Sequence, residues 1–365
     1  MLYQASAMSF NYIDFGAVRR GLGGTIVRLL GNDRIVATVI FFLASAAFVA
    51  AASCRLLLMR RRLRYDAVAP TLLLLALFMR WSADVGRSDL AVAALLGAST
   101  LAMLNKRPVL ASCVVSTGLF IHETSFIFGL PLLLALLLDG SRWRTCSPRS
   151  LIGSASILAA ATALYFLMGW LPHADVATMV SGVRSALPAH EHVDWAIYFA
   201  VSGKRGVAMS MCQNAADPTY VRHLLSGLLI ILLFVACLGQ WRSPRRSNAL
   251  IASVLPFLFL AVVANDFARW TVLAAFNAWL FAVSSDDASG QIENSSPWLR
   301  WLGAAASIPL LVPLTAGVAY PIYVPSPMID SFAQRHGFAW TPSVADAFQR
   351  CDPSWRTVLD NPSTQ

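Results

Sequence analysis

Four short clusters in the sequence combine carboxylates, guanidinium groups and one imidazole at spacings that can do chemistry. The first is Asn11-Tyr-Ile-Asp14-Phe-Gly-Ala-Val-Arg19-Arg20-Gly21-Leu-Gly-Gly24, an acid followed by two arginines and then glycines. Arginine grips phosphate with a bidentate geometry that lysine cannot copy, and glycine lets backbone approach a ligand. The cluster therefore reads as an acid beside a phosphate clamp, or as a basic segment touching lipid phosphates. The second is Arg80-Trp-Ser-Ala-Asp84-Val-Gly-Arg87-Ser-Asp89. Asp84 and Arg87 stand three apart and would share a face of a helix, with Asp89 just inside the next apolar run. A hairpin turn carrying a surface ion pair has the same pattern.

The third cluster is His122-Glu123, set in nearly continuous apolar sequence, and Glu123 is one of only three glutamates. A buried carboxylate or imidazole has a displaced pKa and can act as base or ligand. The alternative is a structural pair packed on Arg87 or Arg269. The fourth is Asn265-Asp266-Phe-Ala-Arg269-Trp270, again with acid and arginine at i and i+3. It reads equally as a capped helix end with a surface pair. No P-loop, GxSxG or HExxH is present. His190 and His192 stand two apart, too little to specify a metal, and no metal or cofactor is expected.

The elements that must position these clusters follow from composition. The chain has 365 residues, 57% hydrophobic and 13% charged, with mean hydropathy +0.61 and net charge +9. Soluble domains carry about 25% charged residues. One water-exposed globule has too little polar surface to cover this much apolar chain. Disorder, a coiled coil and a small disulfide scaffold are excluded as well. The expected fold is an all-α polytopic membrane protein with about ten transmembrane helices, over 35–54, 67–79, 90–104, 109–121, 125–138, 151–169, 224–240, 249–264, 271–283 and 301–319. The runs Leu72–Leu77 and Leu132–Leu138 do not alternate, which excludes strands of a barrel.

Orientation follows from the loop arginines. Residues 55–66, 105–108, 139–150, 241–248 and 284–300 hold half of the 28 basic residues, Arg60, Arg61, Arg62, Arg64, Arg142, Arg144 and Arg149 among them. That side is taken as cytoplasmic, and it carries the whole excess of +9. The other side is neutral and holds most acids and all six histidines at or near it. The excess therefore marks topology, not nucleic acid, and the chemistry is expected outside. The expected organisation is an external N-terminal segment at 1–34, six spans within 35–169, an external loop with interfacial helices at 170–223, four spans within 224–320, and an external tail at 321–365. Residues 194–211 mix Trp195, Tyr198, Phe199 and Met209 with Lys204 and Arg205, as an interfacial helix would. Cys212 and Cys351 both fall outside and are able to pair, although no spacing demands it. An external residue 1–34 segment needs either unaided translocation or a further span upstream. Arg19, Arg20, Arg28 and Arg34 oppose the first.

The stretches Asp14-Phe-Gly-Ala-Val-Arg19-Arg20-Gly-Leu, Gly86-Arg87-Ser-Asp89, His122-Glu123 and Asp266-Phe-Ala-Arg269-Trp270 resemble motifs of GT-C-type polyprenyl-phosphate-sugar glycosyltransferases and related bacterial surface-polysaccharide polymerases. The resemblance covers roughly 10–320, on short motifs. It implies a base in the first external loop, which by position falls on Asp14, with Glu123 or Asp89 next. It implies a lipid phosphate held by Arg19 and Arg20; Arg87, Arg269, His122, Asp84 and Asp266 are further candidate phosphate- or substrate-binding residues. The implied partners are a polyprenyl-phosphate-linked sugar, a glycan or protein acceptor and membrane lipids, with no nucleic acid. The implied place is the bacterial inner membrane, with the site facing the periplasm. Two rivals stand beside transfer of a single sugar: a repeat-unit polymerase for O-antigen or exopolysaccharide, and a lipid-linked glycan flippase. Transporters place charges near the bilayer midplane and show repeats, whereas these charges gather at outer helix ends.

Overall fold

The computed structural model describes residues 2–18, 20–59, 88–139, 146–172, 174–189, 191–201, 204–216, 220–237, 246–263, 267–284 and 349–360. Within them regular structure is helical: α1 (Leu2–Ala7), α2 (Tyr12–Phe15), α3 (Gly21–Leu30), α4 (Arg34–Met59), α5 (Asp89–Leu104), α6 (Pro108–Ile121), α7 (Thr124–Leu138), α8 (Pro148–Leu167), α9 (Val176–Ala186), α10 (Glu191–Val201), α11 (Lys204–Ala216), α12 (Tyr220–Cys237), α13 (Arg246–Val263), α14 (Phe267–Ser284) and α15 (Trp355–Asp360). Eight of the ten expected spans are helices at the expected places; those at 67–79 and 301–319 lie outside the described residues. Among the described residues two helices, α4 and α8, are long and apolar enough to cross a membrane; α3, α5, α6, α7, α12 and α13 contain shorter apolar stretches.

Local chemistry sets the helix ends. Pro108 and Pro148 open α6 and α8, where a missing N–H costs nothing. The Ser147 hydroxyl accepts from the Ser150 N–H, and Asp175 accepts from the Thr178 N–H at 2.6 Å. At the head of α4, Asp33 accepts from the Ile35 and Val36 amides.

The bundle is organised around α14, whose residues 270–284 are buried on every side. It packs on α13 and α12, and more lightly on α5 and α7. Phe276 and Trp279 stack at 5.7 Å, and Phe128 and Phe257 fill the space around them. Pro256 interrupts α13 and cannot supply the N–H that the Ala252 carbonyl would normally receive. The buried Asn277 amide of α14 fills that role: Nδ2 donates to Ala252 O at 2.9 Å and to Phe128 O at 2.8 Å. One side chain thus ties three helices together. Asn277→Leu is expected to cost about 1–3 kcal/mol by stranding a buried carbonyl, read as a lower thermal midpoint in detergent. An unchanged midpoint would show that water or backbone relaxation supplies the missing donor.

Outward, the long helices expose large apolar side chains: Leu43, Phe48 and Leu58 on α4, Ile152, Leu164 and Phe166 on α8, and Leu255, Phe259 and Val262 on α13. Exposed large apolar side chains thus recur on three long helices. Trp170, 88% exposed, follows the end of α8.

A second core is built from distant parts of the chain. Ala5, Phe10, Phe15 and Val18 pack with Val180 and Val183 of α9, Trp195, Ile197 and Tyr198 of α10, Met209 of α11, and Trp355 and Leu359 of α15. The aromatic residues of 194–211 turn inward here; Trp195 and Tyr198 are buried in protein. The Tyr198 hydroxyl donates to Asp352 at 2.6 Å, and a Cys212–Cys351 disulfide fastens α11 to the C-terminal segment.

Candidate functional site

Five of the residues singled out from sequence converge at one end of the bundle. Asp89 is the first residue of α5, His122 and Glu123 form the turn between α6 and α7, Arg269 lies in the first turn of α14, and Arg20 immediately precedes α3. Helix direction puts the start of α5, α7 and α14 and the end of α6 on a common side, the one assigned outside by the arginine count. The α6–α7 turn is tight because Gly118 has no side chain: a Cβ there would fall 1.9 Å from the Ser125 hydroxyl.

Two bidentate forks dominate. Arg269 donates through Nε to Asp89 Oδ2 at 2.5 Å and through Nη2 to Asp89 Oδ1 at 2.6 Å. This pair is largely buried, with Asp89 only 2% exposed. Arg20 donates through Nε to Glu123 Oε2 at 2.5 Å and through Nη2 to Glu123 Oε1. The Arg20 side chain is half exposed and Glu123 less so, so this fork opens toward solvent. Each fork uses two of the five guanidinium N–H groups.

Arg20 has φ 60°, in the left-handed region. Glycine would adopt that backbone freely, whereas a residue with a Cβ pays about 1–2 kcal/mol. The arginine side chain at this place therefore has a use that outweighs local preference.

Between the forks sits His122. Its Nδ1 accepts from the Thr124 backbone N–H at 3.3 Å and lies 2.9 Å from the Thr124 hydroxyl. An Nδ1 that accepts leaves the proton of the neutral ring on Nε2. Burial pulls the His122 pKa down to about 4, Arg20 and Arg269 reinforcing and Glu123 and Asp89 opposing. Burial alone would raise the Glu123 carboxyl, but the Arg20 guanidinium holds it well below the usual carboxylate range. The corner thus rests as two ion pairs around a neutral imidazole. Both shifts destabilise the fold in acid. Between pH 6.5 and about 4 the unfolded chain gains a proton that folded His122 refuses. The stability that Glu123 contributes is complete above about pH 4.5 and is lost as pH falls toward its folded value. His122→Asn keeps an acceptor for Thr124 but does not titrate. Its thermal midpoint should fall less steeply than the wild type's between pH 6.5 and 4 in a detergent melt series; parallel curves would exclude His122 as the cause.

Asp14 is not part of this constellation. Asn11, buried, caps α2 with its Oδ1 and donates from Nδ2 to Asp14 Oδ2 at 2.9 Å. Arg34 Nη2 donates to the same oxygen at 3.0 Å, and Arg28 Nε lies 3.4 Å from it. Arg28 and Arg34, read from sequence only as obstacles to translocation, are therefore the partners of Asp14. The glycines after Arg20 also serve differently from expectation. A Cβ on Gly24 would lie 1.8 Å from the Phe10 carbonyl oxygen, and one on Gly21 2.4 Å from the Tyr12 ring. They admit the protein's own backbone and aromatic ring against α3. The expected residues Arg19, Asp84, Arg87 and Asp266 lie outside the described residues. Among the described residues no cluster of three or more His, Cys, Asp or Glu side chains is placed to hold a metal ion.

Comparisons of the chain with protein-family models, with curated proteins and with solved structures return no match.

Proposed function

We propose that the chain is an integral-membrane glycosyltransferase that moves a sugar from a polyprenyl-phosphate donor to a cell-envelope glycan or other acceptor at the periplasmic face of a bacterial inner membrane. In this reading the helices form a bundle of about ten spans. The apolar exterior of α4, α8 and α13 supports it, as does a disulfide, which persists in oxidising compartments. The observation that carries the reading is the meeting of Arg20–Glu123, His122 and Asp89–Arg269 from distant chain segments at one helix end.

The chemistry follows from the open fork. A donor phosphate takes Arg20 away from Glu123. Without its counter-ion Glu123 becomes a stronger base. It accepts the proton of the acceptor hydroxyl as that oxygen bonds to the anomeric carbon of the sugar. The bond from that carbon to the phosphate oxygen breaks, and its electron pair leaves with the polyprenyl phosphate. Arg20 stabilises the charge that develops there. Arg269, fixed by Asp89, holds positive charge nearby, and Arg19 and Arg87 are further phosphate partners from the sequence. The Nε2–H of neutral His122 is a hydrogen-bond donor at the same corner.

The test is purified, membrane-reconstituted protein assayed on a polyprenyl-phosphate sugar, beside lipid-linked glycan profiles of a deletion strain. Glu123→Gln should lower turnover about 10²–10⁴-fold. Arg20→Gly should remain folded, since it relieves the left-handed backbone, yet lose transfer. The acid limb of kcat should lie above that of kcat/KM, because only the bound complex has released Glu123 from Arg20. Full turnover in both variants would overturn the assignment. Deletion leaving polymer reduced to one repeat would favour the polymerase instead.

A further inference from the structure

The charge balance at Asp14 differs from that at the two forks. There each guanidinium has its own carboxylate. Here Arg28 and Arg34 share one carboxylate oxygen, and that oxygen also receives Asn11. Arg28 has a further partner in Asn32 Oδ1, reached from Nη1 at 2.7 Å. Arg34 is 8% exposed, and its buried Nη1 meets no acceptor; the buried Nε of Arg28 has only the 3.4 Å ion contact to Asp14 Oδ2, without hydrogen-bond geometry. A buried guanidinium N–H with no partner is costly. It sits at the first turn of α4, where the helix dipole already disfavours a cation and favours an anion. Asp33 satisfies two of the α4 amides, and the ion pairs of both arginines go to Asp14 instead. The cluster is open on one side, since the Asp14 and Arg28 side chains are a third exposed.

The flanks are apolar. Leu29 and Leu30 follow Arg28, and Val36 and Ile40 follow Arg34 on α4; all four are exposed. α4 also has membrane-crossing length and composition. An anion site at the head of such a helix, rimmed by exposed aliphatic side chains, suits a charged head that carries a hydrocarbon tail. We infer that Arg28, Arg34 and Asn11 form a binding site for the phosphate of a lipid, distinct from the catalytic corner. Arg20 is engaged with Glu123 and Arg28 with Asp14, so the two arginines at opposite ends of α3 serve different carboxylates. Asp14 is then a place-holder that the phosphate displaces from its arginines. The inference rests on reading α4 as a membrane helix, but not on any reaction at His122 and Glu123.

The test uses the full-length Arg20→Gly/Glu123→Gln chain in phosphatidylcholine nanodiscs, so that binding is read without turnover and without the arginine proposed to hold the donor phosphate at the other site. The probe is radiolabelled polyprenyl phosphate, with polyprenol and inorganic phosphate as comparison arms. Polyprenyl phosphate should bind and polyprenol should not. Arg28→Gln should weaken binding at least about tenfold. Asp14→Asn, which removes the competing carboxylate, should tighten it severalfold, an effect that a purely structural role for Asp14 does not produce. Arg34 is the more buried residue, so Arg28→Gln and Asp14→Asn keep the test valid if Arg34→Gln fails to fold. Equal retention of polyprenol, or no change in both Arg28→Gln and Asp14→Asn, would overturn the inference. Displacement by millimolar inorganic phosphate would overturn its lipid part. Failure of transfer with binding intact would count against the catalytic reading alone.

Discussion

Asp89→Leu is expected to be the most damaging single substitution in the bundle, lowering stability by about 3–5 kcal/mol. Asp89 is buried at the start of α5 and shares both carboxylate oxygens with Arg269 at the start of α14. Removing the carboxylate leaves a guanidinium in a largely enclosed place without its main counter-charge. The pair itself is not the source of that stability, because desolvation offsets much of its attraction. The double variant Asp89→Leu/Arg269→Met should therefore recover most of the lost thermal midpoint while remaining inactive. Thermal melts in detergent combined with the transfer assay check this. A double variant as unstable as the single one would mean that the pair sets the packing of α5 on α14. A double variant that is active would remove Arg269 from the reaction.

The second large effect is expected at Gly24. A Cβ at this position would stand 1.8 Å from the carbonyl oxygen of Phe10, 2.6 Å from its carbon and 2.9 Å from the carbonyl oxygen of Met8. All three are backbone atoms, so no rotamer change relieves the clash. Gly24→Ala must push α3 away from the 8–10 segment, at a cost of about 3 kcal/mol or more. Arg20 lies one turn away at the head of the same helix, so its fork with Glu123 should open as well. Gly31, at the far end of α3, has nothing within 4 Å of a Cβ. Gly31→Ala should be close to neutral, which makes it the matched control. Equal melting of the two variants would refute the close approach of α3 to the first loop.

The helices were readable because their apolar runs are long and continuous. His122-Glu123 stood out as an ionisable pair with apolar sequence on both sides. The partners were another matter. Arg20 finds Glu123 across 103 positions and Arg269 finds Asp89 across 180. Spacing at i and i+3 suggested Asp84 with Arg87 and Asp266 with Arg269, pairs that lie wholly or partly outside the described residues, since only neighbours on one helix can be seen in one sequence. The same limit placed Asp14 with Arg19 and Arg20, when folding brings it to Arg28 and Arg34 beyond the turn of α3. Asn277 carried no signal at all. Its value appears only once Pro256 has opened a carbonyl on the facing helix.

The disulfide between Cys212 and Cys351 has a consequence for how the chain is made. Its partners are 139 positions apart, and α12, α13 and α14 are synthesised between them. Cys351 and Trp355 therefore emerge from the ribosome only after those helices have been made. Until then Tyr198 has neither its Asp352 acceptor nor its Trp355 neighbour. This second core closes only once residues 351–359 have been made. A translation product that stops short of residue 351 lacks this latch and leaves Tyr198 without its Asp352 and Trp355 partners.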